Sequence, residues 1–330
     1  MFLFSLCNPG SEKALKMEAA LAMPSWRPSY QKRGFVTFKT DDESSGGGLH
    51  SPCPPTVELA CARRLCVSLG KAATRDEANS LITNSTSVST IHHARYQERK
   101  MQGLHDELIS TPKDGDIVGT VVEHGPDEFW AGYHRHAAFL SPDPAGDAGI
   151  EMPPQSPSRA WLKLEEAARF FGLTFSTRDI VAELGCAPGG VVLALLDRGV
   201  SVIGVDPAKM AEVVTRSAIS DRENPSRDRP WFYHVRKPAA LVSKRDLGND
   251  VTWFMSDMNQ TPEVVLTECA RFCKMAPGIR NVLITLKLTD LTEITRKPAW
   301  FASLREIGFK KIRLQQFAVH HRELALLAMK

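Results

Sequence analysis

The sequence predicts an α/β protein with a doubly wound sheet in its C-terminal half, closed by a terminal antiparallel hairpin and preceded by a smaller α+β region. The stretch 179–210 has the pattern of a strand, a glycine-rich turn, a helix and a second strand. Further apolar strands follow it, each ending in polar residues. Proline-rich linkers are predicted at 41–56 and 142–157, and the second separates residues 1–150 from residues 151–330.

The composition limits the class of protein. The chain has 330 residues, of which 43% are hydrophobic and 24% charged, which is typical of soluble globular domains. A net charge of +3 permits nucleic-acid binding without requiring it. Seven cysteines without a regular framework predict reduced thiols. The opening apolar run is too short for a signal peptide, and no later run could cross a bilayer, so we expect a cytoplasmic protein.

The N-terminal region begins with the pattern of a strand, a helix capped by Ser11, and a second strand, a start that resembles half of a ferredoxin-like domain. Residues 26–30 are expected to be irregular. The predicted strands of this region are 2–6, 34–38, 117–122 and 128–133. The predicted helices are 12–21, 57–70, 75–82 and 91–108.

The C-terminal half alternates strands and helices. The predicted strands are 180–184, 200–205, 251–255, 282–286, 311–317 and 324–329. The predicted helices are 156–171, 191–196, 262–275 and 293–307. The stretch from Arg216 to Lys237 mixes arginines with three aromatic residues, Trp231, Phe232 and Tyr233. This mixture suits a contact surface for RNA, and an exposed loop is the alternative interpretation.

The glycine-rich turn differs from a dinucleotide-binding loop. Gly185, Gly189 and Gly190 frame the triplet 186–188, so the middle glycine of G-x-G-x-x-G is missing. A turn whose glycines serve only packing is the structural alternative. The spacing therefore argues against a pyrophosphate held on this loop.

Two carboxylates indicate the chemistry of the ligand. Glu183, just before the turn, would repel a diphosphate but could pair with a cationic amino-acid group. Asp206, at the tip of the second strand, could accept hydrogen bonds from both ribose hydroxyls. A ligand with a ribose and a cation but no phosphate fits S-adenosylmethionine (SAM) better than NAD or ATP.

Four polar residues at the edges of elements carry a more specific signal: Lys163, Asp257, Lys287 and Glu323. The last three lie at the ends of predicted strands and should share one rim of the sheet. The segments around them occur in the order and spacing typical of one family: SRAWLKLEEA, ELGCAPGG, VIGVDPAKM, WFMSDM, ITLKL and HHREL.

With these segments the chain resembles the FtsJ/RrmJ-like ribose 2′-O-methyltransferases, and most closely those that modify a cytidine of large-subunit ribosomal RNA. The resemblance covers residues 156–330 well and is weak between residues 41 and 140. The opening CNPGSEK, residues 7–13, is similar to the start of the ferredoxin-like and THUMP-like RNA-binding region of these enzymes.

The resemblance implies a catalytic tetrad in which Lys287 orients and deprotonates the ribose hydroxyl. Lys163 would lower the pKa of that amine, and Asp257 and Glu323 would position it. Two effects oppose each other here, because burial and a second cation lower a lysine pKa whereas two carboxylates raise it. The sequence leaves the net direction open.

The resemblance also implies a set of cofactor contacts. These are expected from Ser158, Glu183, Gly185, Cys186, Ala187, Pro188, Gly189, Gly190, Asp206 and Asp257. The chain departs from the family at two points. Val191 stands where an aromatic residue is expected, and Arg236-Lys237-Pro238 replaces the acidic residue expected near the adenine.

Other methyl acceptors fit the sequence less well. An enzyme that methylates an amino group of a nucleic-acid base would carry Asn/Asp-Pro-Pro-aromatic, whereas this chain has Asp257-Met258-Asn259-Gln260 there. A carbon-directed pyrimidine enzyme needs a nucleophilic cysteine, but Cys269 and Cys273 fall at i and i+4 of a helix, as packing residues do. The histidines and cysteines lack zinc-like spacing, so no metal is expected.

The sequence therefore predicts SAM-dependent methylation of a ribose 2′-hydroxyl of RNA, with large-subunit ribosomal RNA as the expected substrate. Two alternatives stay open. One is a non-catalytic RNA-binding ribosome-assembly factor that keeps the fold, and the other is the same chemistry on transfer RNA or a cap. We expect no membrane partner and a monomer.

Overall fold

The computed structural model describes residues 1–41, 57–105, 110–217 and 230–330. It divides into two compact units. The first comprises Met1–Gly149 and Gln315–Arg322, and the second comprises Ile150–Leu314 and Glu323–Lys330. Among the described residues, no helix has both the length and the hydropathy that crossing a membrane requires.

The first unit is built on an eight-stranded sheet. Its strands are β1 (Phe2–Leu6), β2 (Arg27–Lys32), β3 (Phe35–Lys39), β4 (Arg64–Ala72), β5 (Thr90–Gln97), β6 (Lys100–Leu104), β7 (Ile117–Gly125) and β8 (Glu128–Arg135). Two helices pack on it, α1 (Glu12–Ala22) and α2 (Arg75–Ser85). The strand order is β2-β3-β1-β4-β8-β7-β5-β6. Because α1 connects β1 to β2 and β3 pairs between them, the unit opens with a split β-α-β arrangement.

Several predictions for this unit are confirmed. They are the strands β1, β3, β7 and β8 and the helices α1 and α2. The predicted capping by Ser11 is wrong: the residue occupies the N-cap position of α1, but its side chain makes no capping hydrogen bond. Its hydroxyl instead accepts from the side-chain amide of Gln316 at 3.0 Å.

Three predictions for this unit are wrong because strands were not recognised. Residues 26–30 enter β2 and are not irregular, and residues 57–70 contain the start of β4 and are not a helix. The expected helix 91–108 contains the β5–β6 hairpin, which reverses at Glu98 and Arg99 with φ of 49° and 64°. These non-glycine residues give no turn signal in the sequence. The end of the predicted helix, residues 106–108, lies outside the described residues.

The two predicted linkers have different outcomes. Apart from Asp41, the segment 41–56 lies outside the described residues. The start of the second linker is packed, since Arg64 donates to the carbonyl oxygens of Ser141 and Asp143 at 2.7 and 2.8 Å. Residues 315–322 group with the first unit although they lie in the C-terminal half, because Asn8 donates to the carbonyl oxygens of Phe317 and His320.

A buried basic cluster lies inside the first unit. The guanidinium of Arg64 is 2.9 Å from Nε2 of His134, and His92 and His136 are buried beside them. Among the described residues, neither ring nitrogen of His92 has a hydrogen-bond partner. Burial and the charge of Arg64 lower the pKa of His92 to about 3 and hold that of His134 well below its usual range. The folded unit therefore keeps these imidazoles neutral.

This cluster predicts that the first unit loses stability in acid. As pH falls below about 6.5, these histidines bind protons in the unfolded chain but stay neutral in the folded unit. The free energy of unfolding therefore falls by about 1.4 kcal/mol per histidine and pH unit. Thermal melting between neutral pH and pH about 4.5 measures this loss. We expect His92→Leu to flatten the pH dependence and His321→Leu, at an exposed position, to leave it unchanged. Equal slopes in wild type and His92→Leu would contradict the prediction.

The second unit contains a seven-stranded sheet. Its strands are β9 (Ile180–Leu184), β10 (Ser201–Val205), β11 (Phe232–Val235), β12 (Trp253–Ser256), β13 (Asn281–Lys287), β14 (Lys311–Gln315) and β15 (Glu323–Met329). Its helices are α3 (Ala160–Phe171), α4 (Gly190–Leu196), α5 (Glu212–Ser217), α6 (Lys244–Leu247), α7 (Pro262–Met275) and α8 (Lys297–Glu306). The strand order is β11-β10-β9-β12-β13-β15-β14, parallel from β11 to β13 and antiparallel at β15.

The predicted fold class is confirmed: the second unit is a Rossmann-like sheet that ends in an antiparallel strand. Most predicted elements match within a few residues, but the helix expected at 293–307 begins as a 3-10 turn and becomes α8 at Lys297. The expected RNA surface at Arg216–Lys237 stays a prediction, with Phe232 and Tyr233 half-buried and Trp231 buried. Trp231 is 8% exposed and Phe232 begins the unpredicted edge strand β11. The arginines at 222, 227 and 229 lie outside the described residues.

Candidate active site

The candidate site lies where the chain changes direction across the second sheet. From β9 the chain builds β10 and β11 on one side, and it then returns to build β12 and β13 on the other. The segments that leave the carboxyl ends of β9 and β12 therefore diverge, and such a switch point opens the crevice in which α/β proteins bind ligands. The predicted site residues follow the ends of these strands and of their neighbours.

The glycine turn after β9 has no room for side chains. A Cβ on Gly185, whose φ is +74°, would lie 2.9 Å from the backbone nitrogen of Met258. Gly189 has φ of +115°, and a Cβ on Gly190 would lie 2.4 Å from Oγ of Ser158. The glycines thus let the turn pack closely against its neighbours, among them Ser158 and Met258.

Asp206, directly after β10, holds this turn in place. Its two carboxylate oxygens accept from the backbone nitrogens of Ala187 at 3.1 Å and Ala208 at 2.8 Å. Each oxygen has a second lone pair, so both could still accept from a ligand hydroxyl. The carbonyl of Asp206 also accepts from Nε2 of His234 at 2.9 Å. The contact of His234 with Asp206 was not predicted, because β11 is short and lies in an arginine-rich stretch.

The middle of the turn can contribute only backbone. The side chain of Cys186 is buried, with its sulfur 3.7 Å from that of Met210, and burial raises the pKa of its thiol. The carbonyl of Pro188 accepts from the backbone nitrogen of Ala211 at 3.0 Å. These contacts fix the turn from behind and leave its chain atoms for a ligand.

The carboxyl of Glu183 is buried, and no cation pairs with it among the residues that the structure describes. It is 2% exposed, and within the described part of the chain its Oε2 has no hydrogen-bond partner. Burial, then the negative charges of Asp257 and Asp206, raise the pKa of Glu183 well above its usual range. A cationic group of a ligand would supply what this carboxyl lacks. The residues present therefore fit a ligand such as SAM, which carries an amino group and a ribose.

The structure brings together the four residues Lys163, Asp257, Lys287 and Glu323. Nζ of Lys163 lies 2.9 Å from Oδ1 of Asp257 and 3.0 Å from Oε2 of Glu323. Nζ of Lys287 lies 3.2 Å from Oδ1 of Asp257 and 2.7 Å from Oε1 of Glu323. Each amine thus contacts both carboxylates, and the four groups alternate in charge.

The fold explains why residues so distant in sequence meet. Lys287 ends β13, and the antiparallel register places it directly opposite Glu323 at the start of β15. Asp257 follows β12, which pairs with β13, and its backbone nitrogen bonds to the carbonyl of Leu184 in β9. Lys163, in the first turns of α3, completes the group from outside the sheet.

The charge state of Lys287 follows from these contacts. Burial disfavours its charged form, but the carboxylates of Asp257 and Glu323 outweigh burial and raise the pKa of Lys287 above its usual value. The four side chains are between 14% and 20% exposed, so water reaches the group from one side. These contacts therefore favour the ammonium form of Lys287.

Other predicted positions have simpler environments. Val191, where an aromatic residue was expected, is buried in α4. No acidic residue directly follows β11, where the sequence has Arg236 and Lys237. Lys237 is exposed and pairs with Asp246 at 2.8 Å. Cys269 and Cys273 are buried in α7, as expected of packing residues. In the described part of the chain, no group of three or more His, Cys, Asp or Glu side chains could hold a metal ion.

Comparison with known proteins adds to this geometry. Residues 157–277 match the family described as FtsJ-like methyltransferase. Ribosomal RNA large subunit methyltransferase M of Chromohalobacter salexigens is 27% identical over 243 residues, which are 64% of this chain and 68% of that protein. The protein of the same name from Histophilus somni is 40% identical over 68 residues, only 19% of either chain.

A solved structure also resembles the chain. Magnesium protoporphyrin IX methyltransferase from Synechocystis PCC 6803, with bound SAM, aligns with a TM-score of 0.37 and 14% identity. The alignment covers 55% of this chain and 86% of that protein.

Proposed function

We propose that this chain, which carries an FtsJ-like methyltransferase domain over residues 157–277, transfers a methyl group from SAM to a ribose 2′-hydroxyl of RNA. The observation that carries the proposal is the alternating group of two lysines and two carboxylates beside the glycine turn. Such a group can hold a hydroxyl and accept its proton, which methylation of a poor nucleophile requires.

The cofactor would be held by residues of the crevice. SAM supplies an electrophilic methyl group when bound. The glycine turn would accept its amino-acid part, Glu183 would pair with its amino group, and Asp206 would accept from its ribose hydroxyls. These contacts would fix the methyl group in line with the attacking oxygen, a contribution worth up to about 7–11 kcal/mol.

The tetrad would then act on the acceptor hydroxyl. Lys287 is the proposed base, and it must first give up to solvent water the proton that Asp257 and Glu323 hold on it. Lys163 bonds to the same two carboxylates, so it draws part of their negative charge away from Lys287. Removing water as the substrate binds would disfavour the charged ammonium ion and so favour its loss of a proton. The pair of carboxylates also fixes the direction of the amine.

The proposed substrate is large-subunit ribosomal RNA. This rests on the printed name of the relatives, of which the Chromohalobacter salexigens protein aligns over both units of the chain. We assign the first unit to RNA binding and the second to methyl transfer. With this substrate the place of action would be the cytoplasm, where seven cysteines without a predicted framework remain reduced. We propose a monomer, since the tetrad needs no residue from a second chain.

The test is methyl transfer from labelled SAM to RNA from cells that lack the protein, followed by digestion to nucleosides. We expect the label on a ribose of large-subunit RNA. Label on transfer RNA or on a cap would show that the substrate is not large-subunit RNA. Label on a base would show that the methyl acceptor is not a ribose hydroxyl. If the protein binds RNA but neither binds SAM nor transfers label, it is an assembly factor that retains the fold.

A further inference from the structure

The segment directly after β10 carries the carboxylate that we assign to the ribose of the cofactor, and its main chain is held from the side of β11. The backbone nitrogen of Asp206 donates to the carbonyl of Val235 at 3.3 Å. The carbonyl of Asp206 accepts from Nε2 of His234 at 2.9 Å. The next carbonyl, that of Pro207, accepts from Nε of Arg236 at 3.2 Å. The peptide groups on both sides of the Asp206 side chain are therefore fixed.

The contact with Asp206 determines which nitrogen of His234 carries a proton. A carbonyl oxygen can only accept a hydrogen bond, so Nε2 must donate. A proton on Nε2 is present in one neutral form of the imidazole and in the charged form. His234 therefore serves here as a hydrogen-bond donor and needs no change of charge.

The strand register explains how the imidazole reaches this carbonyl. His234 stands opposite Gly204, which lies two residues before Asp206 in the chain. A Cβ on Gly204 would lie 2.8 Å from the ring of Phe232, so the glycine makes room for that ring. The rings of Phe232 and His234 are 6.1 Å apart and inclined by only 17°. Packing against Phe232 thus orients the plane of the imidazole.

The carboxylate of Asp206 is fixed by two other contacts. Its oxygens accept from the backbone nitrogens of Ala187 and Ala208, which leaves each oxygen a lone pair for a ribose hydroxyl. The side chain is short, so the direction of these lone pairs depends on the main chain as well as on the rotamer. Rotation of the peptide after Asp206 would move both acceptors, and hydrogen bonds weaken steeply when they are misaligned.

We propose that His234 is a positioning residue for ribose recognition: by holding the carbonyl of Asp206, it aims both carboxylate oxygens at the ribose hydroxyls of the cofactor. The inference rests on the proposed function, which assigns SAM to this crevice, and deepens it by naming what keeps the ribose site in shape. A histidine that only stabilised the fold would act on every ligand alike. A histidine that acts through Asp206 matters only for ligands with ribose hydroxyls.

Two substitutions separate the donor of His234 from its ring. His234→Phe keeps a ring that can pack on Phe232 but has no N–H group. His234→Gln has no ring, but its amide nitrogen is as many bonds from the backbone as Nε2 is. We expect His234→Phe to bind S-adenosylhomocysteine about 10-fold more weakly than wild type, because the carbonyl of Asp206 loses its donor. His234→Gln should bind it like wild type.

The matched control is Ser201→Ala. The hydroxyl of Ser201 accepts from the backbone nitrogen of Trp231 at 3.3 Å, so this variant also loses a side-chain hydrogen bond between β10 and the segment that enters β11. Ser201 begins β10, however, whereas Asp206 follows its last residue. We therefore expect Ser201→Ala to bind S-adenosylhomocysteine like wild type.

The test is calorimetry of the full chain with S-adenosylhomocysteine and with its 2′,3′-dideoxy analogue, which lacks both ribose hydroxyls. His234→Phe should bind the analogue as tightly as wild type does, because the contact that it impairs is absent from this ligand. In methyl transfer, His234→Phe should raise KM for SAM by about 10-fold and leave kcat near the wild-type value, as expected when binding alone is impaired. Calorimetric stoichiometry identifies unfolded protein, which lowers the number of sites and not their affinity.

The outcomes separate this inference from the proposed function. Equal losses for the two ligands in His234→Phe, or a loss in His234→Gln as large as that in His234→Phe, would mean that the ring acts through packing, and the inference would be wrong. Wild-type affinity in His234→Phe would also overturn it. None of these results affects methyl transfer by the wild type, so the proposed function would stand.

The reverse result is equally distinct. If His234→Phe loses affinity only for the ligand with hydroxyls, but the wild type transfers no methyl group to ribose, the inference holds and the proposed function fails. A wild type that binds neither S-adenosylhomocysteine nor SAM would exclude both.

Discussion

Lys287→Met is expected to lower the rate of methyl transfer to RNA by about 10²- to 10⁴-fold, the range found when a positioned acid-base group is removed. Methionine keeps an unbranched apolar stem but has no amine, so the hydroxyl loses both its base and its orienting contact. SAM affinity should stay near the wild-type value, because the contacts assigned to the cofactor come from the turn after β9 and from Asp206. Single-turnover transfer and calorimetry with SAM measure the two effects separately.

The wild-type rate should also rise with pH from neutral into the alkaline range. Asp257 and Glu323 hold the pKa of Lys287 above its usual value, so at neutral pH only a small fraction of the protein carries the neutral amine. Raising the pH increases that fraction until the pKa is reached. Asp257→Asn removes one of the two charges that stabilise the ammonium ion, and it should shift the rise to lower pH.

Two further variants separate the role of base from that of a simple cation. Lys287→Arg keeps the charge but cannot give up its proton at these pH values, so it should be as inactive as Lys287→Met. Lys311→Met is the matched control, because Lys311 begins β14. The backbone nitrogen of its neighbour Lys310 bonds to the carbonyl of Met329, which lies at the end of β15 away from Lys287. Wild-type activity in Lys287→Arg would show that Lys287 acts through its charge alone.

The second unit could be predicted from the sequence because its signals are local. A buried parallel strand is an uninterrupted apolar run, and β9, β10, β12 and β13 each end at a glycine or a polar residue. Lys287 and Glu323 could be placed on one rim because parallel strands end at one edge and a terminal hairpin returns to it. The contact of each lysine with both carboxylates depends on side-chain distances, which no pattern in the sequence contains.

The first unit was predicted less well because its sheet is largely antiparallel and is bulged. Arg64 and His92 are buried in β4 and β5, but their polarity resembles the solvated face of a helix. The hairpin after β5 turns at Glu98 and Arg99 without glycine. The bulge at Gly70 breaks the alternation by which a strand is recognised.

Glu183→Gln is expected to weaken SAM binding by about 10-fold and to remove most of its dependence on pH. Burial and the nearby charges of Asp257 and Asp206 raise the pKa of Glu183 well above its usual range, which favours the neutral carboxyl. A cationic amino group beside it would favour the carboxylate, and binding would release a proton. Wild-type affinity should therefore rise with pH, by up to about tenfold per unit, until the pKa of the free carboxyl is passed. Glutamine keeps the shape and can accept a hydrogen bond, but it cannot ionise.

Calorimetry in two buffers of different ionisation enthalpy counts the protons released on binding, and the wild type should release more than Glu183→Gln at the same pH. Protons that come from the ligand itself appear in both proteins and cancel in this difference. Glu165→Gln is the matched control, since Glu165 is 14% exposed in the same unit but pairs with Arg198 at 2.5 Å. If wild type and Glu183→Gln release equal numbers of protons and bind SAM equally, the amino group of SAM does not lie against Glu183. The unpartnered Oε2 of this buried carboxyl would then need a different ligand group or a bound water.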